Sequence, residues 1–240
     1  MKISCYFQVA SAALLLDAAS LTSYAQSPDA LRMQAFAQGR ANNCISVALI
    51  KAAIQHHGIG QVFDTLRTGD QVRVTLHDGT ALVLTDAERQ QAATWAMFNQ
   101  PTGIALPVTE RAAIVSYANF CYAVMAKYMQ TQQWYGCIDD AGKVVVYAPL
   151  TKYRRALRKL TDKSICSDNA YRHLGLQVKD STAPRYNPAL LYAAAVAYSD
   201  NHAVFVLGKQ YDDHGSWEPL ATSAKADDME FEPKWVFELK

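Results

Sequence analysis

The most concentrated apolar stretch of the chain is Ile45-Ser46-Val47-Ala48-Leu49-Ile50-Lys51-Ala52-Ala53-Ile54, which has too few polar positions to face water along one side. A helix with that pattern is a buried one. Asn42 or Asn43 stands where its N-cap belongs and Gly58 where it should stop. Downstream the period shortens to two. Val72-Arg73-Val74-Thr75-Leu76 and Ala81-Leu82-Val83-Leu84 alternate like strands with one buried face, separated by His77-Asp78-Gly79-Thr80. That spacing predicts a hairpin whose Asp-Gly pair takes the positive backbone angles of a tight turn. Thr85-Asp86-Ala87-Glu88 then forms a capping box, opening a helix towards Phe98 that Pro101 and Gly103 close off.

A helical period returns from Thr109-Glu110 to about Gln130, with Ile114, Tyr117, Phe120, Cys121, Val124, Met125 and Tyr128 on its apolar side. Residues 144–147 predict a short strand, and 153–160 and 169–174 short helices. The basic run Lys152-Tyr153-Arg154-Arg155 is expected to be a solvated helix face. In the last third, residues 204–207 and 235–239 predict strands, with a turn at Asp212-Asp213-His214-Gly215. Segment 189–198 fits a helix started by Asn187-Pro188, or a strand in its last four residues. Helices early and strands late predict an α+β fold.

Ahead of these elements, Lys2 precedes an apolar run over residues 3–16, and Ser23-Tyr24-Ala25 supplies a small-residue ending. This is the pattern of a cleavable leader over 1–25, which implies a secreted or periplasmic protein whose residues 26–240 form one domain. The run is too short and too interrupted for a stable membrane anchor. In a chain of 240 residues, half of them hydrophobic, one sizeable core or two small lobes can be buried. The 23 basic and 22 acidic residues nearly cancel, so no overall field draws the protein to nucleic acid. Its partner is sought in a local site.

Once the leader and Cys5 are removed, Cys44, Cys121, Cys137 and Cys166 remain. If Cys44 stays free to act, at most one disulfide forms among the other three. No CxxC pair or Cys/His cluster has zinc-ligand spacing, so neither metal nor cofactor is expected. Cys44 itself opens the buried helix, where unpaired backbone N–H groups and the helix dipole favour a thiolate. Gln38, six residues upstream in Gln38-Gly39-Arg40-Ala41-Asn42-Asn43-Cys44, is placed to fold back over the thiol. Its amide and the Cys44 N–H would give two donors to an oxyanion. His202, in Asp200-Asn201-His202-Ala203-Val204-Phe205, sits at the mouth of a strand that would hold a general base rigidly. The other histidines close helices (His56, His57, His173) or lie in turns (His77, His214), where polar roles in water are expected.

The segment from Gln38 to Ile54 resembles the active-site segment of calpain-like cysteine peptidases of the papain-like superfamily, in which Gln-Gly precedes the nucleophile by the same interval. The later His202-Ala203-Val204-Phe205-Val206-Leu207-Gly208 resembles the His-Ala segment of the same enzymes. Residues 122–130 and 170–178 weakly resemble the intervening helix and turn, so the likeness runs from about Met33 to Gly208. It implies a papain-like fold: a helical lobe with a buried active-site helix, packed against an antiparallel sheet or half-barrel lobe. It also implies an endopeptidase acting on peptide or protein substrates, with Cys44 as nucleophile, His202 as acid/base and Gln38 as oxyanion donor. The chain departs from the family pattern at Asn43 and Ile45, which flank the cysteine where acidic and aromatic residues are usual. The Asn that orients the histidine in the family is also missing after His202. Glu218, in Trp217-Glu218-Pro219, stands at a suitable distance to serve instead. Asp212 and Asp213 are rivals, although turn carboxylates in water are their plainer reading. Two alternatives share the scaffold: another thiol acyl-transfer enzyme, such as a cell-wall peptide hydrolase or transglutaminase-like protein, and an inactive binding module.

Overall fold

Helix α2 (Cys44–His57) begins one residue before the predicted apolar run and is buried almost continuously from Cys44 to Ile54. The computed structural model describes residues 28–138, 143–162, 165–166, 169–182, 195–199, 202–219 and 235–239. The expected leader at 1–25 and the first part of the ambiguous segment, 189–194, lie outside the described residues. After the short helix α1 (Pro28–Met33) and α2 come β1 (Asp64–Thr68), β2 (Gln71–Thr75), β3 (Ala81–Thr85), α3 (Asp86–Ala96) and the long α4 (Val108–Thr131). The chain continues through β4 (Trp134–Ile138), β5 (Val144–Tyr147), α5 (Tyr153–Thr161) and a 3-10 turn (Ala170–Leu174). It ends in β6 (Val178–Thr182), β7 (Ala195–Tyr198), β8 (Ala203–Leu207), β9 (Gln210–Asp213), β10 (Ser216–Pro219) and β11 (Trp235–Leu239). The protein is therefore α+β, with every strand pairing antiparallel.

Among the described residues three sheets form: β1-β2-β3, β4-β5, and a six-stranded sheet in the order β10-β9-β8-β7-β11-β6. Helix α2 packs on β8, β7 and β11 of the large sheet and on α4. Val47, Ala48, Leu49, Ile50, Ala52 and Ala53 are all buried there. Each large apolar side chain so placed contributes roughly 1.5–3 kcal/mol. Helix α4 touches α2, α3, α5 and β3, and this ring of neighbours explains why Cys121 to Ala126 are buried on every face. Burial pushes the Cys121 thiol far up, leaving it inert. Cys137 and Cys166 form a disulfide, with Cα atoms 5.0 Å apart, and Cys44 is free. Closing that loop stabilises the fold by about 3–4 kcal/mol in the chain-entropy view.

The capping box forms as expected. Thr85 Oγ1 accepts from Glu88 N at 3.1 Å, and Glu88 Oε2 accepts from Thr85 N at 3.0 Å. The solvated face of α5 is also present, since Arg154 and Arg155 are exposed while Ala156, Leu157 and Leu160 face the core. Asn43 occupies the N-cap of α2, but its side chain does not cap; Nδ2 donates instead to Ala96 O at 2.8 Å, tying α2 to the end of α3. The first hairpin departs from the tight turn predicted. Leu76 N donates to Thr80 O and Gly79 N to Leu76 O, each at 2.9 Å, so the loop has three residues. Only Gly79 takes a positive φ (84°). A type I turn closed by a left-handed glycine joins the strands there without bending Asp78 into that region.

Candidate active site

The large sheet meets the N-terminus of α2 at a small cavity lined by Gln38, Cys44, Val47, Ala48, His202, Ala203, Val204, Phe205, Asp212 and His214. Its volume of about 10 Å³ is that of a single water position. Each polar side chain reaches it through a different element. Cys44, 4% exposed, is the first residue of α2, so its side chain stands among the helix's unpaired N–H groups. His202 is half-buried and immediately precedes β8, whose residues 203–206 are buried against α2. The strand thereby fixes the imidazole relative to the helix. The β7–β8 connection is tied by Ser199 N donating to His202 O at 2.9 Å.

Gln38 arrives on the loop before α2, and that loop is pinned to the segment after α3. Ala37 and Asn99 exchange backbone bonds of 2.9 and 3.0 Å. A Cβ on Gly39 would lie 2.0 Å from Met97 O, so the Gln-Gly pair answers a steric need. No other residue lets the loop approach that carbonyl so closely. Gln38 Nε2 donates to Ala41 O at 2.8 Å, while Oε1 is buried without a hydrogen-bond partner. One amide hydrogen is thus spent holding the loop. Outside the cavity an open groove of about 670 Å³ runs along Gln38, Gly39, Arg40, Met97, Phe98, Asn99 and His214. Gln38 and His214 belong to both spaces.

The carboxylates divide. Asp212 is buried rather than solvated, with Oδ2 2.6 Å from Lys51 Nζ and Oδ1 accepting from Gly215 N at 3.0 Å. Lys51 lies two helical turns beyond Cys44 on α2 and is wholly buried, resting over the Phe36 ring at 5.0 Å. Burial pushes its ammonium down and Asp212 opposes the shift. The pair bolts the β9–β10 hairpin to the helix that carries the thiol. Asp213 is half-buried; one of its carboxylate oxygens and one ring nitrogen each of His202 and His214 lie within 4.8 Å of one another. Glu218 sits exposed on the edge strand β10, opposite Tyr211, and does not line the cavity.

Residues 38, 44 and 202 therefore meet at one cavity, and among the sequence candidates for the third partner Asp213 comes beside the imidazole. Two contributors escape a sequence reading. Lys51 left a signal, because a lysine inside a continuous apolar run needs a buried carboxylate. His214 left none beyond being a turn histidine; its ring stacks on His202 with centroids 5.6 Å apart and planes 11° apart. The remaining histidines are elsewhere. His173 is fully buried rather than a simple helix end, with Nε2 accepting from Tyr135 N at 3.2 Å, and burial lowers it to about 3. His57 stacks on His77 and is lowered to about 4 by burial, then by His56 and His77. Comparison with protein-family profiles, curated proteins and solved structures finds no match to this chain.

Proposed function

We propose that the protein is an exported cysteine peptidase of papain-like arrangement, with Cys44 as nucleophile and His202 as acid/base. The observation that carries this reading is the convergence on one cavity of Cys44 at a helix N-terminus, Gln38 on the loop before it, and His202 at a strand mouth far along the chain. The Cys44 thiolate attacks the peptide carbonyl carbon, and the C=O electron pair moves onto oxygen. The Cys44 N–H and the Gln38 amide are the groups positioned to receive that charge. His202, protonated at that stage, passes its proton to the leaving nitrogen as the C–N bond breaks and a thioester remains. Water, giving a proton to His202, attacks the thioester carbon; the C–S bond breaks, the acid is released, and the Cys44 thiolate and protonated His202 are restored. Asp213 is the positioning carboxylate in this proposal, in place of Glu218. The groove along Gln38 to Arg40 and Met97 to Asn99 is the approach for an extended peptide, with Gln38 and His214 at its border with the thiol. The disulfide supports an oxidising compartment and so export, and among the described residues no helix is long and apolar enough to cross a membrane.

The narrow cavity and the engaged Gln38 amide favour a second reading, an inactive binding module. A thiol-reactive peptidyl probe separates the two. The peptidase reading expects labelling of the native protein that is absent in Cys44→Ala and at least about a hundredfold slower in His202→Ala. Native protein that stays unlabelled while its thiol reacts after denaturation sinks that reading.

A further inference from the structure

His202, Asp213 and His214 form a cluster that the thiol chemistry does not need in full, since an acid/base and one positioning group suffice. Two imidazoles and a carboxylate are the ligand types that suit zinc and neighbouring divalent transition metals. Their candidate ligand atoms already lie within 4.8 Å of one another. A tetrahedral ion with bonds of about 2.0–2.1 Å wants about 3.4 Å between ligand atoms. The atoms therefore have to draw in by at most about 1.4 Å, within reach of side-chain rotation by His214, whose side chain is 54% exposed. The backbone supports the cluster. Asp213 and His214 are neighbours on one hairpin tip, His214 Nε2 lies 3.8 Å from Asp213 Oδ1, and His214 takes φ 47°, a region few residues with a Cβ adopt. Asp212 and Lys51 anchor that tip to α2. Ten residues separate His202 from Asp213 in the chain, which is why no motif spacing announced the site. Cys44 lines the adjoining cavity but is not one of the three.

We propose that His202, Asp213 and His214 bind one divalent transition metal of the zinc class. Resting on the peptidase reading, we further propose that the ion silences the thiol by occupying the imidazole that serves it. Coordination uses a ring nitrogen of His202, so the same imidazole cannot exchange a proton with thiol or leaving group while the ion is bound. No bond of the substrate is made or broken by the metal. The site is a switch set by metal concentration.

The test titrates full-length protein, first stripped with a chelator, with zinc chloride against a chromophoric zinc chelator. One zinc per chain is expected in the native protein and equally in Cys44→Ser. Affinity should fall roughly tenfold or more in His214→Asn and in Asp213→Asn; asparagine tolerates the left-handed turn, so the fold is kept at position 214. Absent zinc binding, or binding that survives both substitutions, overturns the site. Binding lost in Cys44→Ser overturns it too, because the ion then sits on the thiol. A second arm measures peptidyl-probe labelling of Cys44 with and without zinc, each variant against its own metal-free rate. Labelling should be suppressed by zinc in the native protein, spared by magnesium, and much less zinc-sensitive in His214→Asn. Labelling that ignores bound zinc overturns the switch while the titration upholds the site. No labelling even without zinc overturns the peptidase reading and the switch together, and the titration still decides the metal.

Discussion

Two hairpins of this protein carry nearly the same turn residues and do opposite things with them. The β2–β3 connection is His77-Asp78-Gly79, and the β9–β10 hairpin turns through Asp213-His214-Gly215. In the first, Asp78 Oδ1 accepts from Thr80 N at 2.9 Å within its own loop, and the carboxylate stays in water. In the second, Asp212 is withdrawn into the core against Lys51, and the tip delivers Asp213 and His214 to His202. The Asp-Gly pair leaves the primed geometry unused, whereas His214-Gly215, with φ values of 47° and 99° between the paired Asp213 and Ser216, adopts positive angles at both positions. Turn composition therefore did not decide turn geometry. A hairpin on the outside of a small sheet obeys its local hydrogen bonds, while one wedged against α2 and the Ala37 loop obeys its neighbours.

Cutting each hairpin's carboxylate gives the largest contrast. Asp212→Ala strands a buried ammonium and should cost about 3–5 kcal/mol in urea unfolding. Asp78→Ala removes one exposed turn bond and should cost under about 1 kcal/mol. The double variant Lys51→Met/Asp212→Leu should recover most of the larger loss, because an apolar pair fills the space with no charge to desolvate. Equal losses from Asp212→Ala and Asp78→Ala would erase the distinction between the hairpins.

A smaller contrast lies in the two turn glycines. A Cβ at Gly215 would meet Pro101 Cγ at 2.4 Å and Ala37 Cβ at 3.3 Å, at φ 99°, whereas at Gly79, φ 84°, it meets nothing within 4 Å. Gly79→Ala should cost about 1 kcal/mol of backbone strain. Gly215→Ala adds a collision with the wall of the Gln38 loop, so it should lose more stability and also slow Cys44 labelling. Labelling as fast as in the native protein would mean that the tip does not help set the Gln38 loop.

The smallest expected effect concerns the first hairpin's histidine contact, His77 on His57, with centroids 4.5 Å apart. His57 is lowered to about 4 in the fold, against about 6.5 in the unfolded chain. Between those values the unfolded state binds more protons, so this contribution is fully present above about pH 6.5 and is lost as pH falls towards 4. His57→Gln should flatten that acid limb slightly. The buried His173 shifts in the same direction and keeps part of the slope. An His57 resonance titrating at its ordinary value by NMR would contradict the expectation.

Much of the scaffold was legible because it rests on local patterns. The run after Cys44 announced α2, alternation announced β2 and β3, and the Thr85–Glu88 box marked the start of α3 to the residue. Strands β1 and β4 escaped such a reading. β1 is exposed along its whole length and so shows no alternation, and β4 pairs with β5 through an irregular register. For the site, Gln38, Cys44 and His202 stood out by type and position, while Asp212 reads as a turn carboxylate until Lys51 is found beside it.

By itself, then, the sequence determined the main helices and the strands that alternate or run apolar, that a cysteine would open the buried helix, and that Gly39 and Gln38 precede it at a fixed interval. Hydrogen bonding within a few residues and the periodic burial of apolar side chains suffice for that. Only the tertiary structure decided which cysteines pair, which aspartate is buried, and that His214 lies against His202. Those outcomes depend on desolvation and on distances between residues far apart in the chain, and a charge's cost or value is set by what surrounds it after the chain has packed.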